Sequence, residues 1–201
     1  LLFKIFTRQL KFNDHREDLH LGILIIFLTL IFYFFIIPNE GIFSVFLSIT
    51  SSISTSGISI YSSNFDISLF FILLTIIGGS LLSTSSGLKY VRFYILLKIS
   101  YQEIYRLVKP INIFNRNLFN SDVKISEEDS KIAFLIFISF IIAVFVLSSI
   151  LTLDNLSFEH AFKLSILTLT NTATSTLYGM DNFNFFDLNS FTKISLIFFM
   201  I

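Results

Sequence analysis

Two short runs of small polar residues carry the chemistry this chain offers: Ser54-Thr55-Ser56-Gly57-Ile58 and Asn171-Thr172-Ala173-Thr174-Ser175. Each brings hydroxyls and closely spaced backbone carbonyls, with no acid, base or thiol placed for covalent work. A row of carbonyls can replace the hydration shell of a cation. The loop must then be extended, and one residue usually turns left-handed to keep the oxygens aimed inward. Gly57 stands where that residue would sit. An ordinary extracellular Ser/Thr loop is the competing reading of the first run alone, and the recurrence at 171–175 tips the balance against it.

A third polar break interrupts an apolar run: Gly78-Gly79-Ser80-Leu81-Leu82-Ser83-Thr84-Ser85-Ser86-Gly87, with Lys89 and Arg92 just beyond. Unpaired backbone in hydrocarbon costs on the order of several kcal/mol per group, so such a break is tolerated only against protein or water. A lysine at membrane depth is costly too, which marks Lys89 as a functional candidate. The alternative is a kinked helix with Lys89 snorkelling to the interface. If the break crosses a pore, its Ser and Thr hydroxyls are expected to face water and ions, with Lys89 or Arg92 anchoring it to carboxylates or carbonyls.

The elements that must position these runs follow a pattern made twice. Leu21–Ile37 is free of charge, and its 17 residues give roughly 25 Å of helix, enough for a thin bilayer. Pro38-Asn39-Glu40-Gly41 stops it, Ile42–Ser52 suits a half-helix too short to span, and Ile67–Ile77 resumes the span. After the break, the span continues from Leu88 to about Ser100. Ile132–Leu151, the short helix Phe158–Thr170 and the run from Phe191 repeat the order. Each half-helix would end at its loop, turning its negative dipole end toward a cation. The pattern is span, re-entrant pore loop, span.

Composition agrees: 54% of residues are hydrophobic and 14% charged, and mean hydropathy is +0.79, which disfavours a soluble α-protein. With no cysteine there are no disulfides or thiolate metal sites. The chain opens without Met and ends inside an apolar run, which reads as an internal fragment. His15, His20 and the Glu159/His160 pair lack a third ligand at metal spacing. Asp122, Glu127, Glu128 and Asp129 suit a solvated face or a helix N-terminus before Ile132. Asp66 and Asp181 each trail a loop, where solvation or attraction of cations would suit them.

Basic residues set the orientation. Four of fourteen Lys and Arg precede Leu21, eight lie from Lys89 to Lys131, and none lies between Pro38 and Leu88. By the positive-inside rule, residues 1–20 and the polar stretch 101–131 are cytoplasmic, and both pore loops enter from outside.

These motifs resemble one family. Ser54-Thr55-Ser56-Gly57-Ile58 looks like the Thr-Thr-Thr-Gly-Phe filter in the third repeat of Trk/Ktr/HKT-type cation transporters. Gly78-Gly79-x-x-x-Ser83-Thr84-x-x-Gly87-Leu88-Lys89-x-x-Arg92 matches that family's mid-membrane motif without a gap and is the most specific of the three. Asn171-Thr172-Ala173-Thr174-Ser175 lies where the fourth repeat carries Asn-x-Gly-Pro-Gly.

The resemblance implies an all-α integral membrane fold of helix–pore loop–helix units. Residues 21–100 would be the third repeat, with an intramembrane gate loop at 78–87, and 132–201 a truncated fourth. It implies potassium uptake across the plasma membrane (the bacterial inner membrane), a homodimer, and a nucleotide-binding regulatory subunit docked on the cytoplasmic side. Filter residues would be Ser54, Thr55, Ser56, Gly57, Asn171, Thr172, Ala173 and Thr174, binding K⁺ through backbone only. Gly78, Gly79, Ser83, Thr84, Gly87, Lys89 and Arg92 would form the gate. No enzyme activity, cofactor or nucleic-acid partner is expected, and K⁺ is the transported ion.

Two departures shape the alternative. Leu82 and Ser86 replace glycines of the gate motif, which should stiffen it. Ala173 replaces the fourth filter's glycine, and a left-handed alanine there costs about 1–2 kcal/mol. The second reading is therefore a non-conducting or weakly selective Na⁺/K⁺ homologue with a regulatory or assembly role. A membrane enzyme using the Ser/Thr clusters would need a base beside them, and none is apparent.

Overall fold

A computed structural model describes residues 16–36, 41–58, 67–81, 83–108, 117–120, 125–154, 156–180 and 185–200. The turn at Pro38–Glu40, the acids Asp66, Asp122 and Asp181, Leu82 and His15 lie outside them. All regular structure among the described residues is helical. Helix α1 (Arg16–Ile31) runs into a π-helical turn at Phe32–Ile36. The half-helix α2 (Ile42–Ile53), α3 (Ser68–Ile77) and α4 (Tyr90–Val108) follow. Then come α5 (Glu127–Thr152), the second half-helix α6 (Phe158–Leu169) and α7 (Ser190–Met200).

Local chemistry explains the helix ends. Glu17 and Asp18 occupy the first turn of α1, where the helix dipole favours negative charge. The Ser126 hydroxyl accepts from the Asp129 amide at 3.0 Å, and the Asp129 carboxylate accepts back from the Ser126 amide at 3.1 Å. This reciprocal capping starts α5 at Glu127, five residues before the apolar run. Helix α4 likewise outruns its apolar stretch, continuing past Ser100 to Val108. Much of the expected 101–131 loop is thus helical. Its polarity belongs to a helix face, where Arg106 pairs with Glu103 at 2.9 Å one turn back.

The two repeats share one core. Val45, Ile49 and Ile53 of α2 meet Phe71 of α3, Leu147 and Leu151 of α5, and Leu164 and Leu167 of α6, all buried. A smaller cluster joins Tyr90, Val91 and Ile95 of α4 to Phe119 and Ala133, with Tyr94 stacked on Phe119 at 4.3 Å. His20 packs on the same Phe119 ring at 5.2 Å.

Outward, the chain is greasy. On α5, Phe134, Leu135, Ile142 and Phe145 are exposed, as are Ile23, Ile26 and Phe27 of α1 and Phe191, Ile194 and Phe198 of α7. Contiguous apolar faces of this extent suit lipid or further transmembrane helices rather than water. Arg16–Phe34 and Glu127–Thr152 are long and apolar enough to cross a membrane, while Ser68–Ile77 and Ser190–Met200 are apolar but shorter. The short α3 is the half-span that the sequence places before the Gly-Gly break.

Beyond α5, the Asp154 carboxylate accepts hydrogen bonds from the Thr192 hydroxyl and the Asn189 side-chain amide, tying this corner to the start of α7. The Thr192 bond is the main reason its pKa lies below the usual carboxylate value. A depressed folded pKa contributes stability above the ordinary carboxylate range and loses it as pH falls through the folded value. Asp154→Ala is expected to lower thermal stability at neutral pH, and the gap to wild type should close on acidification. Melting followed in detergent at a series of pH values checks this; a pH-independent gap would contradict it.

Candidate functional site

The half-helices α2 and α6 have equal length and end in the same way, residue for residue. In the first, Ser54, Thr55 and Ser56 donate their amides to the carbonyls of Thr50, Ser52 and Ser51 at 2.9, 3.1 and 3.0 Å. In the second, Thr170, Asn171 and Thr172 donate to Ile166, Thr168 and Leu167 at 2.9, 3.0 and 2.9 Å. Each is a Schellman ending with one left-handed residue, Thr55 at φ 57° and Asn171 at φ 48°. The left-handed turn swings the following residues off the helix axis.

The hydroxyls repeat as well. Ser54 donates to Ser56 Oγ at 3.3 Å, and Thr170 Oγ1 lies 2.8 Å from Thr172 Oγ1. The Ser54/Ser56 and Thr170/Thr172 hydroxyls are thus engaged with one another and with the end of their own half-helix.

The register makes Gly57 the counterpart of Ala173, and the fold brings these two together. Gly57 takes φ +72°, and a Cβ built on it would run first into the carbonyl oxygen of Ala173 and come within 2.9 Å of Ala173 Cβ and 3.0 Å of Ala173 C. Only glycine fits so near the facing loop in that conformation. Ala173 corrects an expectation. It is not among the described residues of positive φ, so the left-handed penalty foreseen from its Cβ does not arise.

Behind the loops, the repeats are joined by Tyr178, fully buried, whose hydroxyl lies 3.5 Å from Ser52 Oγ near the end of α2. No motif pointed to Tyr178. A mostly apolar cavity of about 590 Å³ flanks the second loop, bounded by Thr172, Ala173 and Thr174, by Leu164 and Thr168 of α6, and by Leu196 of α7.

The break between α3 and α4 folds back on itself. Gly78 and Gly87 take φ of 68° and 89°. A Cβ on Gly78 would lie 2.5 Å from Ser86 O, and one on Gly87 2.7 Å from Thr75 O. The Leu88 amide returns to Ile76 O at 2.9 Å and the Tyr90 amide to Gly79 O at 3.0 Å. Lys89, itself left-handed at φ 70°, places its ammonium on Ser83 O at 2.7 Å and on Ser85 O. Of the two expected anchors, Lys89 is the one on the loop carbonyls. Arg92 sits in the first turn of α4, where its amide donates to Lys89 O.

The expectation that the loop's hydroxyls face water holds in part: Thr84 is exposed, Ser80, Ser83 and Ser86 are half-buried, and Ser85 is buried. Ser83 and Ser85 bond each other at 2.9 Å, and the Ser85 hydroxyl also receives the Gly79 amide at 3.0 Å. The loop's own polar groups need these partners because neighbouring helices offer few.

Among the described residues, two hydrogen bonds tie the break to other parts of the chain. The Ser86 amide donates to Thr55 Oγ1 at 3.3 Å, linking it to the first loop. The Leu81 amide donates to Glu17 Oε1 at 2.9 Å. Nothing in the sequence neighbourhood of Glu17 signals a partner 64 residues away.

Two helix–half-helix–helix repeats with facing loop ends, one of them followed by a broken helix, define an all-α membrane architecture. The chain has the fold of the potassium transporter TrkH from Vibrio parahaemolyticus. The match in its crystal structure has a TM-score of 0.72 at 19% identity and covers 89% of this chain. This chain spans 39% of that protein's length. No protein-family model matches the chain, and no curated protein matches it in sequence.

Proposed function

We propose that the chain is the third and fourth pore-loop repeats of a transporter that takes potassium across the bacterial inner membrane. The observation that carries this is the apposition of Gly57 and Ala173 at the ends of two half-helices with matching hydrogen-bond registers. Carbonyls of Ser54–Gly57 and Asn171–Thr174 would take the place of water around K⁺ on one side of the ring, and the repeats outside this chain would complete it. Two half-helix C-termini aim their negative dipole ends at the same place. Residues 78–89 would obstruct the path below and move on opening. Ala173 carries no positive φ, so its Cβ adds no left-handed strain to this loop.

A homodimer and a cytoplasmic nucleotide-binding regulatory subunit belong to the same proposal and rest on the family resemblance. Growth of a potassium-uptake-deficient strain at low potassium tests the function. The full-length protein should restore growth, and failure of well-expressed, inserted protein would count against transport.

Topology is tested separately. Leu153, at the end of α5, and Leu107, at the far end of α4, are both strongly exposed, and the chain has no cysteine of its own. Leu153→Cys should react with a membrane-impermeant thiol reagent added outside. Leu107→Cys should be protected until the membrane is opened. The opposite pattern would invert the orientation drawn from the basic residues.

A further inference from the structure

The break at 78–89 is held from within by Lys89 and by its own serines, yet a loop that opens must also be held in place against the rest of the protein. Two described contacts do so. The Ser86–Thr55 bond is neutral and long at 3.3 Å. The Leu81–Glu17 bond is shorter, at 2.9 Å, and its acceptor is a carboxylate from the first turn of α1. Charge-assisted hydrogen bonds are roughly twice as strong as neutral ones.

The geometry points to Glu17 as the positioning residue that latches the loop in its obstructing place, with the Leu81 amide as the catch. This rests on the pore reading above. Glu17 touches no ion in this scheme; it acts by setting how often the loop leaves. A first-turn acid usually serves its own helix, and Asp18 beside it has that role available. Glu17 instead reaches a backbone amide in the non-helical break, 64 residues along the chain.

The test compares full-length wild type with Glu17→Ala, Glu17→Gln and Asp18→Asn in lipid, by hydrogen–deuterium exchange over 78–89 and by potassium flux into liposomes. For Glu17→Ala, exchange at the Leu81 amide should quicken roughly tenfold or more, and basal flux should rise severalfold. Glu17→Gln keeps an acceptor without the charge and should fall between. Asp18→Asn should leave both readouts near wild type. A purely structural role would instead lower flux together with thermal stability.

Unchanged exchange in folded Glu17→Ala overturns the latch. Faster exchange with unchanged flux keeps the latch and counts against the pore reading, so the two failures are distinct. Should Glu17→Ala not fold, Glu17→Gln decides by the same pair of measurements.

Discussion

Gly57→Ala in the full-length protein is expected to reduce potassium flux by about tenfold or more and to weaken discrimination against sodium. Two costs act together. At φ +72° an alanine costs about 1–2 kcal/mol. Its Cβ would also press on Ala173 at 2.9 Å, so the second loop must move as well. Either strain or displacement disturbs the carbonyls of both loops. Ala173→Gly alone should be close to neutral, because Ala173 carries no positive φ. Combined with Gly57→Ala it should restore little flux, because the atoms nearest the new Cβ include the carbonyl O and C of Ala173, which the second substitution leaves in place along with the backbone strain. Potassium and sodium uptake into liposomes measures all three variants. Unchanged selectivity in Gly57→Ala would remove these loops from the filter.

Lys89→Met should have the opposite sign: basal flux up, in a protein that still folds. The methionine keeps the length of the side chain but loses the ammonium that bonds Ser83 O and Ser85 O. Hydrogen bonds to a charged group contribute about 1.5–3 kcal/mol each, so the loop should open at least roughly tenfold more often. The Leu88–Ile76 and Tyr90–Gly79 backbone bonds remain to preserve the junction between α3 and α4. The ratio of potassium to sodium flux should shift only slightly, since among the described residues one neutral hydrogen bond, Ser86 to Thr55, joins the loop to the first filter loop. Folded Lys89→Met with wild-type or reduced flux would rule out a gate at this break.

Much of this was legible in the sequence, for identifiable reasons. Spans and half-helices show because lipid demands long apolar runs and a bare backbone demands cover. The half-helix Ile42–Ile53 was placed to within a residue, since Gly41 and the Ser/Thr run bound it on either side. Gly57 and Gly78 stand out because a left-handed backbone and a close approach both select glycine.

What escaped was of two kinds. Helix α4 continues through Tyr101–Val108 because a polar stretch can still be helical when Gln102 turns inward and Arg106 pairs along the helix, which hydropathy alone reads as a loop. The contacts of Glu17 with Leu81 and of Tyr178 with Ser52 join residues 64 and 126 positions apart. No local period reports a pair that only the folded chain brings together. Ala173 shows the reverse error: the motif asks for glycine, but the observed backbone does not.

The most direct test of the central claim is an anomalous difference map from crystals of the full-length protein grown with rubidium or caesium in place of potassium. The account predicts ion peaks at coordination distance from backbone carbonyls of Ser54–Gly57 and Asn171–Thr174, on the pore side of the Gly57–Ala173 contact. Peaks along the pore at other residues, with these two loops empty in protein shown to transport rubidium, would contradict it.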